Sequence, residues 1–357
     1  MNKTILITGG LGYIGSHCAV ELLNANYNVA IIDNLSNSDI LVLDRIREIT
    51  NKNSKFFVLD VANAQDMNHF FTCEKNIDAI IHFAAYKAVG ESVAKPLEYY
   101  QNNLIGIINI LKGMQNNNIQ NLIFSSSCTV YGQSCDQPVT ENTPIAKAES
   151  PYGNTKIVSE QIIEDTVRSD KDIHAISLRY FNPIGAHSSA KIGELPKGVP
   201  NNLLPYITQT AYGLREKLSV FGNDYNTPDG TPIRDYINVV DLAKAHLKAV
   251  ERLLNNNNID NYEVFNIGTG KGNSVIEIIK TFEKVTEQQL PYQIVGRRAG
   301  DIEQIWADTK KANEMLGWKA EISIEVSIKS AWEWEKNYRE LLKIPKSALR
   351  SCAKILI

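Results

Sequence analysis

The sequence predicts an α/β fold, a doubly wound parallel sheet with a smaller, interleaved α+β domain. Three observations carry this. Short apolar stretches alternate with helical patterns from the N-terminus, a glycine-rich turn joins the first such pair, and beyond about residue 180 prolines and long loops interrupt the alternation.

Residues 5–8, 29–33, 56–60, 79–83 and 122–125 read as strands, being short, apolar and often β-branched. Between them, residues 14–23, 41–49 and 96–114 carry helical patterns. Strand–helix alternation implies right-handed crossovers and a parallel sheet. Later, Pro183, Pro196, Pro200, Pro205, Pro228 and Pro232 break the pattern, as expected of a smaller domain whose loops wrap a ligand. Residues 173–180 and 264–267 read as further strands of the main sheet, so the two parts are expected to interleave: 1–180 with a return at about 236–268, and mainly 181–343 for the second domain. Residues 344–357 read as a tail of uncertain origin.

Composition narrows the function. The 357 residues carry 37 Lys+Arg against 40 Asp+Glu, a net charge of −3, with 43% apolar and 22% charged residues. That balance offers no field for a nucleic-acid polymer, and no run approaches the length of a membrane span. Small molecules or a second copy of the chain are the expected partners. Met1-Asn2-Lys3-Thr4 enters an apolar strand at once, leaving no room for a signal-peptide layout. The five cysteines (Cys18, Cys73, Cys128, Cys135, Cys352) form no C-x-x-C pair and the six histidines show no metal-binding spacing, so a cytoplasmic setting, buried structural thiols and no metal are expected.

Thr8-Gly9-Gly10-Leu11-Gly12-Tyr13-Ile14-Gly15 follows the first strand and opens a helix. Glycines at 9, 12 and 15 permit a tight turn, close approach to a pyrophosphate and close helix–sheet packing, and the helix N-terminus presents free N–H groups to phosphate. Asp33 closes the second strand 18 residues after Gly15. A carboxylate there accepts ribose hydroxyls and repels a 2′-phosphate, which favours NAD over NADP and makes the sheet Rossmann-type.

Tyr152-Gly153-Asn154-Thr155-Lys156 places a phenol and an ammonium one helical turn apart, before a helical run over 155–168. A free phenol is a poor base at neutral pH, but a neighbouring lysine and a cationic nicotinamide favour its phenolate. Upstream, Ser125-Ser126-Ser127-Cys128-Thr129-Val130-Tyr131-Gly132 leaves a strand and presents hydroxyls where ligands meet the carboxyl end of such a sheet. Turn, hydroxyl cluster and Y-x-x-x-K in this order are far more specific than any one alone.

With these residues the chain resembles the extended short-chain dehydrogenases/reductases, and among them the UDP-hexose 4-epimerases. The resemblance runs from Thr4 to about Tyr338. It includes Asp33-Asn34-Leu35, His82-Phe83-Ala84, Lys87-Ala88-Val89-Gly90-Glu91-Ser92, Leu178-Arg179-Tyr180-Phe181-Asn182-Pro183, Pro200-Asn201-Asn202-Leu203 and Arg234-Asp235-Tyr236-Ile237. It implies interconversion of UDP-glucose and UDP-galactose. C4 is oxidised to a 4-keto sugar on tightly bound NAD, and the sugar turns over and is reduced on its opposite face. Ser127, Tyr152 and Lys156 would be catalytic. Gly9, Gly12, Tyr13, Ile14, Gly15, Asp33, Asn34, Asp60, Val61, Phe83, Ala84, Lys87, Asn102, Ser125, Tyr152, Lys156 and Tyr180 would hold the cofactor. Lys87, Ser127, Tyr152, Phe181, Asn182, Asn202, Leu203, Phe221, Arg234, Arg298, Asp301 and Ile305 would meet the nucleotide sugar. Arginine suits a diphosphate because it offers a planar fork of donors. The family also implies a homodimer pairing through two long helices, here 96–114 and 152–168.

Departures from the family pattern sharpen the alternatives. Ile305 stands where some members carry a bulky tyrosine near the sugar 2-substituent, so an epimerase accepting UDP-N-acetylglucosamine, alone or in addition, is the second reading. A 4,6-dehydratase would carry an Asp-Glu pair where Cys128 and Thr129 stand. A non-catalytic NAD-binding regulator would be expected to have lost part of the Ser127/Tyr152/Lys156 set, which is present in full. Trp306, Trp318, Trp332 and Trp334 are expected to pack the terminal helix and second domain, and His82 to be structural.

Overall fold

Ile5, Leu6 and Ile7 are all fully buried, as a strand flanked on both faces requires. They belong to a computed structural model that describes residues 2–134, 137–298 and 301–343. Cys135, Cys352, the Ala299–Gly300 pair and the expected tail 344–357 lie outside the described residues.

The first half alternates as expected: β1 (Thr4–Thr8), α1 (Tyr13–Asn24), β2 (Asn28–Ile32), α2 (Leu41–Thr50), β3 (Lys55–Phe57), α3 (Ala64–Cys73), β4 (Ala79–His82), α4 (Val89–Ala94), α5 (Pro96–Asn117), β5 (Asn121–Ser125), α6 (Pro151–Ser169) and β6 (His174–Tyr180). There follow β7 (Asn182–Ile184), α7 (Leu203–Ala211), β8 (Leu218–Phe221), β9 (Ile233–Arg234), β10 (Tyr236–Asn238) and α8 (Val239–Leu254). The described residues end with β11 (Tyr262–Ile267), β12 (Asn273–Ser274), α9 (Val275–Thr286), β13 (Tyr292–Val295), β14 (Gln304–Ile305) and α10 (Ile324–Lys343).

Seven strands form one parallel sheet in the order β11-β6-β5-β4-β1-β2-β3. The order reverses between β1 and β4, the switch point where doubly wound sheets open a crevice. Ile5 and Ile7 feed the apolar layer shared with α1 and α8, while Leu6 feeds the opposite layer under α3, α5 and α6. This alternation buries both faces. A third apolar cluster, with Leu204, Val220, Phe282 and Trp332, holds together α7, β8, α9 and α10. Short ribbons attach this region to the sheet's carboxyl edge: β7 with β10, β9 between β12 and β14, and β8 with β13.

Three expectations are corrected. The strand expected over 56–60 stops at Phe57, because Asp60 turns back to accept the Ala62 N–H at 2.8 Å and Asn63 caps α3. The helix carrying Tyr152 starts at Pro151, not Thr155. Ser150 accepts the Gly153 N–H at 3.2 Å and Pro151 fills the first position, which places Tyr152 in the first turn. Of the described cysteines, Cys18 and Cys128 are buried, but Cys73 is exposed at the end of α3. Trp332 and Trp334 are buried on α10 as expected, whereas Trp318 is buried in the main-sheet layer, donating to the Asp241 carbonyl of α8 at 2.9 Å, and Trp306 is half-buried. No helix among the described residues is long and apolar enough to cross a membrane.

Candidate active site

The glycine turn is built by contact. Gly9 has φ +69°, and a Cβ on it would lie 2.9 Å from the Ala84 nitrogen. A Cβ on Gly15 would lie 2.4 Å from the Gly9 carbonyl, so the first turn of α1 rests directly on the loop. The Asp33 carboxylate accepts the N–H of Leu11 at 3.0 Å and of Leu35 at 2.9 Å, and the Ser38 hydroxyl at 2.6 Å. It thereby ties the turn after β1 to the turn after β2. Asn34 donates to Asp60 at 3.2 Å, adding the end of β3. Gly9, Asp33, Asp60, Phe83, Ser125 and Tyr180 each stand at or just past the carboxyl end of a sheet strand, and together they line one cavity of about 520 Å³.

The serine run and the Y-x-x-x-K element meet at the floor of this cavity. Lys156 is buried and donates to the Ser125 carbonyl at 2.7 Å, with its ammonium 5.9 Å from the centre of the Tyr152 ring. Burial pulls its pKa down to about 8, with Glu160 pulling the other way. Tyr152 is also buried, and burial raises its phenol well above the ordinary value; the Tyr180 ring adds to this and a hydrogen bond with Ser127 opposes it. The expected lowering by Lys156 is therefore not built into the protein alone. The ammonium is engaged by a backbone carbonyl, and desolvation dominates. Ser127 caps the turn of residues 128–131 by accepting the Thr129 N–H at 3.2 Å. Ser125 donates to Tyr180 at 3.1 Å, and burial raises the Tyr180 phenol to about 12. Beneath them, Glu160 accepts from Ser126 and pairs with Arg179 at 2.6 Å, while Arg179 also donates to Tyr131 at 3.0 Å. His82 sits 2.8 Å from the Thr8 hydroxyl, neutral because burial pulls its pKa to about 3; it is structural as expected.

All the residues expected to hold the cofactor line this cavity: Gly9, Gly12, Tyr13, Ile14, Gly15, Asp33, Asn34, Asp60, Val61, Phe83, Ala84, Lys87, Asn102, Ser125, Tyr152, Lys156 and Tyr180. The glycine cradle, the N-terminus of α1 and the Asp33 carboxylate have the chemistry that the phosphates and ribose of a dinucleotide need. Of the remaining sugar-side residues, Asn202 lines the same cavity, whereas Ser127, Phe181, Asn182, Leu203, Phe221, Arg234, Arg298, Asp301 and Ile305 stand outside its lining. Several of these are linked by contacts of their own, whereas Leu203 packs in the cluster of α7, β8, α9 and α10. Arg234 and Ile305 are partners in register between β9 and β14, and Phe181 and Ile305 share an apolar cluster with Cys128. Arg234 is near enough to Cys128 to ease its thiol downward, although burial holds that thiol at about 12. Arg298 pairs with Asp301 at 2.7 Å, 5.5 Å from the Phe221 ring. Asn182, on β7, donates its backbone N–H to the Asp235 carbonyl at 2.9 Å.

The room expected beside Ile305 is absent. Ile305 is 1% exposed, and Val130, Val139, Ile157 and Ala307 close around it as interiors do around a smaller side chain. Sequence reasoning missed Asn103, which brackets Tyr86 with two hydrogen bonds and accepts no role from any motif, and it missed Glu194 and Trp334 in the cavity wall. The only sequence signal for Glu194 was its Gly/Pro-rich loop, Gly193-Glu194-Leu195-Pro196-Lys197-Gly198.

A dinucleotide cradle opening onto a Ser/Tyr/Lys set defines an enzyme of the extended short-chain dehydrogenase/reductase class. A family model described as GDP-mannose 4,6 dehydratase matches residues 6–331. The chain is 49% identical to the UDP-glucose 4-epimerase of Bacillus subtilis over 333 residues, 93% of this chain and 97% of that one. It superposes with a TM-score of 0.91 on a UDP-glucose 4-epimerase from Stenotrophomonas maltophila with bound NAD and formylated UDP-arabinopyranose, at 44% identity and covering 95% of this chain and 100% of that one. A UDP-glucose 4-epimerase from Bifidobacterium longum in complex with NAD⁺ and UDP gives a TM-score of 0.90 at 46% identity, covering 94% and 99%. The chain belongs to the UDP-glucose 4-epimerase family.

Proposed function

We propose that the chain interconverts UDP-glucose and UDP-galactose by inverting C4 of the sugar, with NAD held through the whole cycle. The observation that carries this reading is that Tyr152, Lys156 and Ser125 close one end of the cavity whose other end is formed by Gly9, Gly12, Gly15 and Asp33. When bound, NAD supplies a reversible hydride acceptor and a positive charge.

Tyr152 takes the proton of the sugar 4-hydroxyl in one half-reaction and returns it in the other, as base and then acid. Burial in the protein alone holds its phenol neutral, and the positive charge that NAD would bring beside it favours the phenolate that accepts this proton. Ser127, already hydrogen-bonding to Tyr152, holds the 4-oxygen and relays its proton. Lys156 contributes a fixed positive charge beneath the phenol, its geometry locked by the Ser125 carbonyl. Arg234 and Arg298 neutralise the substrate diphosphate, with Asn182, Asn202, Leu203, Phe221 and Asp301 around the nucleotide and Phe181 beside the sugar. Residues 1–180, with the return at about 236–268, then serve the cofactor, and mainly 181–343 serve the nucleotide sugar.

We further read the chain as a cytoplasmic homodimer whose copies meet through α5 and α6. These helices pack side by side, and the exposed Leu97 and Ile105 lie on α5. Sedimentation of the wild type and of Leu97→Glu tests the dimer. The function itself is tested by offering purified protein a panel of UDP-sugars with no added NAD. UDP-glucose and UDP-galactose should equilibrate; inertness toward both would refute the reading.

A further inference from the structure

Residues 192–202, Ile-Gly-Glu-Leu-Pro-Lys-Gly-Val-Pro-Asn-Asn, border the cofactor cavity along almost their whole length. Their ends are anchored. Ile192 is 1% exposed in the core beneath α1, and Pro200 is buried. Gly193 lies under the Trp334 indole, where a Cβ would come within 2.5 Å of the ring, and Trp334 Nε1 donates to the Glu194 carbonyl at 3.0 Å. The middle, residues 197–199, is exposed.

Between these anchors the segment is fastened to the cofactor half at two points. Lys197 Nζ donates to the carbonyls of Leu35 at 2.9 Å and Ser36 at 2.8 Å. These carbonyls lie two and three residues after Asp33, and the Leu35 N–H is itself held by the Asp33 carboxylate. At the other point, Glu194 Oε1 lies 3.2 Å from Lys87 Nζ and accepts from Asn202 at 2.6 Å. One contact thus sits beside the carboxylate suited to the adenosine ribose. The other lies near Tyr13 on α1, whose phenol Glu194 helps push upward after burial. Neither Lys197 nor Glu194 has a part in moving a proton or a hydride.

We propose that residues 192–202 form a clasp that retains the dinucleotide, with Lys197 and Glu194 as positioning residues that fasten it to the cofactor half at two points. The proposal rests on the NAD reading above and goes beyond it by assigning the retention to particular residues. Both fastenings bear charge and reach solvent, so each is breakable and weakened by salt. Two simultaneous contacts to backbone carbonyls make the lysine the stronger fastening.

The test uses holoprotein purified with its own nucleotide. It is desalted into buffer containing an enzyme that destroys free NAD, and the nicotinamide nucleotide remaining per chain is followed with time. Lys197→Ala should release nucleotide roughly tenfold faster than wild type, in line with the loss of charge-assisted hydrogen bonds, and Glu194→Gln several-fold faster. Release should depend less on sodium chloride in the double variant than in wild type, and added NAD should restore turnover. Lys55→Ala, which removes an exposed pair with Glu74 (2.7 Å) remote from the cavity, should release nucleotide at the wild-type rate. Wild-type release rates in both Lys197→Ala and Glu194→Gln would overturn the clasp and leave the catalytic reading standing. Wild-type protein that carries no nicotinamide nucleotide and binds none would overturn both.

Discussion

Replacing Lys156 by methionine should separate stability from catalysis. Lys156 is 4% exposed, and burial pulls its pKa from 10.5 to about 8. At about 1.4 kcal/mol per pH unit, holding it charged at neutral pH costs the fold about 3 kcal/mol. The sign follows from proton binding. Below pH 8 both folded and unfolded chains carry the proton and the full cost is present. Between about 8 and 10.5 the unfolded chain binds more protons, so stability rises with pH until the cost is gone. Methionine has similar length and no charge, which removes that cost but also the 2.7 Å bond to the Ser125 carbonyl. A hydrogen bond from a charged group contributes about 1.5–3 kcal/mol. The two nearly offset, so the nucleotide-free variant should unfold in urea within about 1.5 kcal/mol of wild type, on the stable side, and lose the rise between pH 8 and 10.5. Turnover should fall by about 100-fold or more, as expected when a group acting in proton transfer is removed. A variant destabilised by more than about 2 kcal/mol, or one that keeps the alkaline rise, would refute the assignment of the cost to this lysine.

Other outcomes can be read directly. Tyr152→Phe keeps the buried ring and should lower turnover by about 10²–10⁴-fold with nucleotide content unchanged, measured by initial rates and extracted NAD. Gly15→Ala forces a Cβ to 2.4 Å from the Gly9 carbonyl, so purified protein should carry little nucleotide and melt lower by calorimetry. Glu160→Ala leaves Arg179 charged and buried without its 2.6 Å partner and should cost about 3–5 kcal/mol in denaturant unfolding. In native protein at pH 8, iodoacetamide should label Cys73 and spare Cys128, whose thiol is buried and held at about 12; mass spectrometry of peptides reads both.

Local chemistry made much of this protein legible in its sequence. The Gly9–Gly15 turn, Asp33 and the Tyr152/Lys156 spacing each obey short-range rules of backbone freedom, strand ends and helical period. Those residues, together with the ones the family resemblance adds, line one cavity. The parallel sheet followed from strand–helix alternation for the same reason. Strand ends and helix starts were less legible, because β3 stops and α6 begins where single side chains, Asp60 and Ser150, find backbone partners.

What the sequence by itself determined, then, is the kind of sheet, the cradle at its switch point and the spacing that places Tyr152 and Lys156 one helical turn apart. Tertiary structure decided the rest, because burial and distant neighbours set it. It made Tyr152 a weaker acid and Lys156 a weaker base than their spacing suggested. It filled the space beside Ile305, and it brought Glu194, Lys197 and Trp334 from separate stretches of chain to the rim of one cavity. Desolvation and long-range packing have no period along a sequence, so only the folded chain could show them.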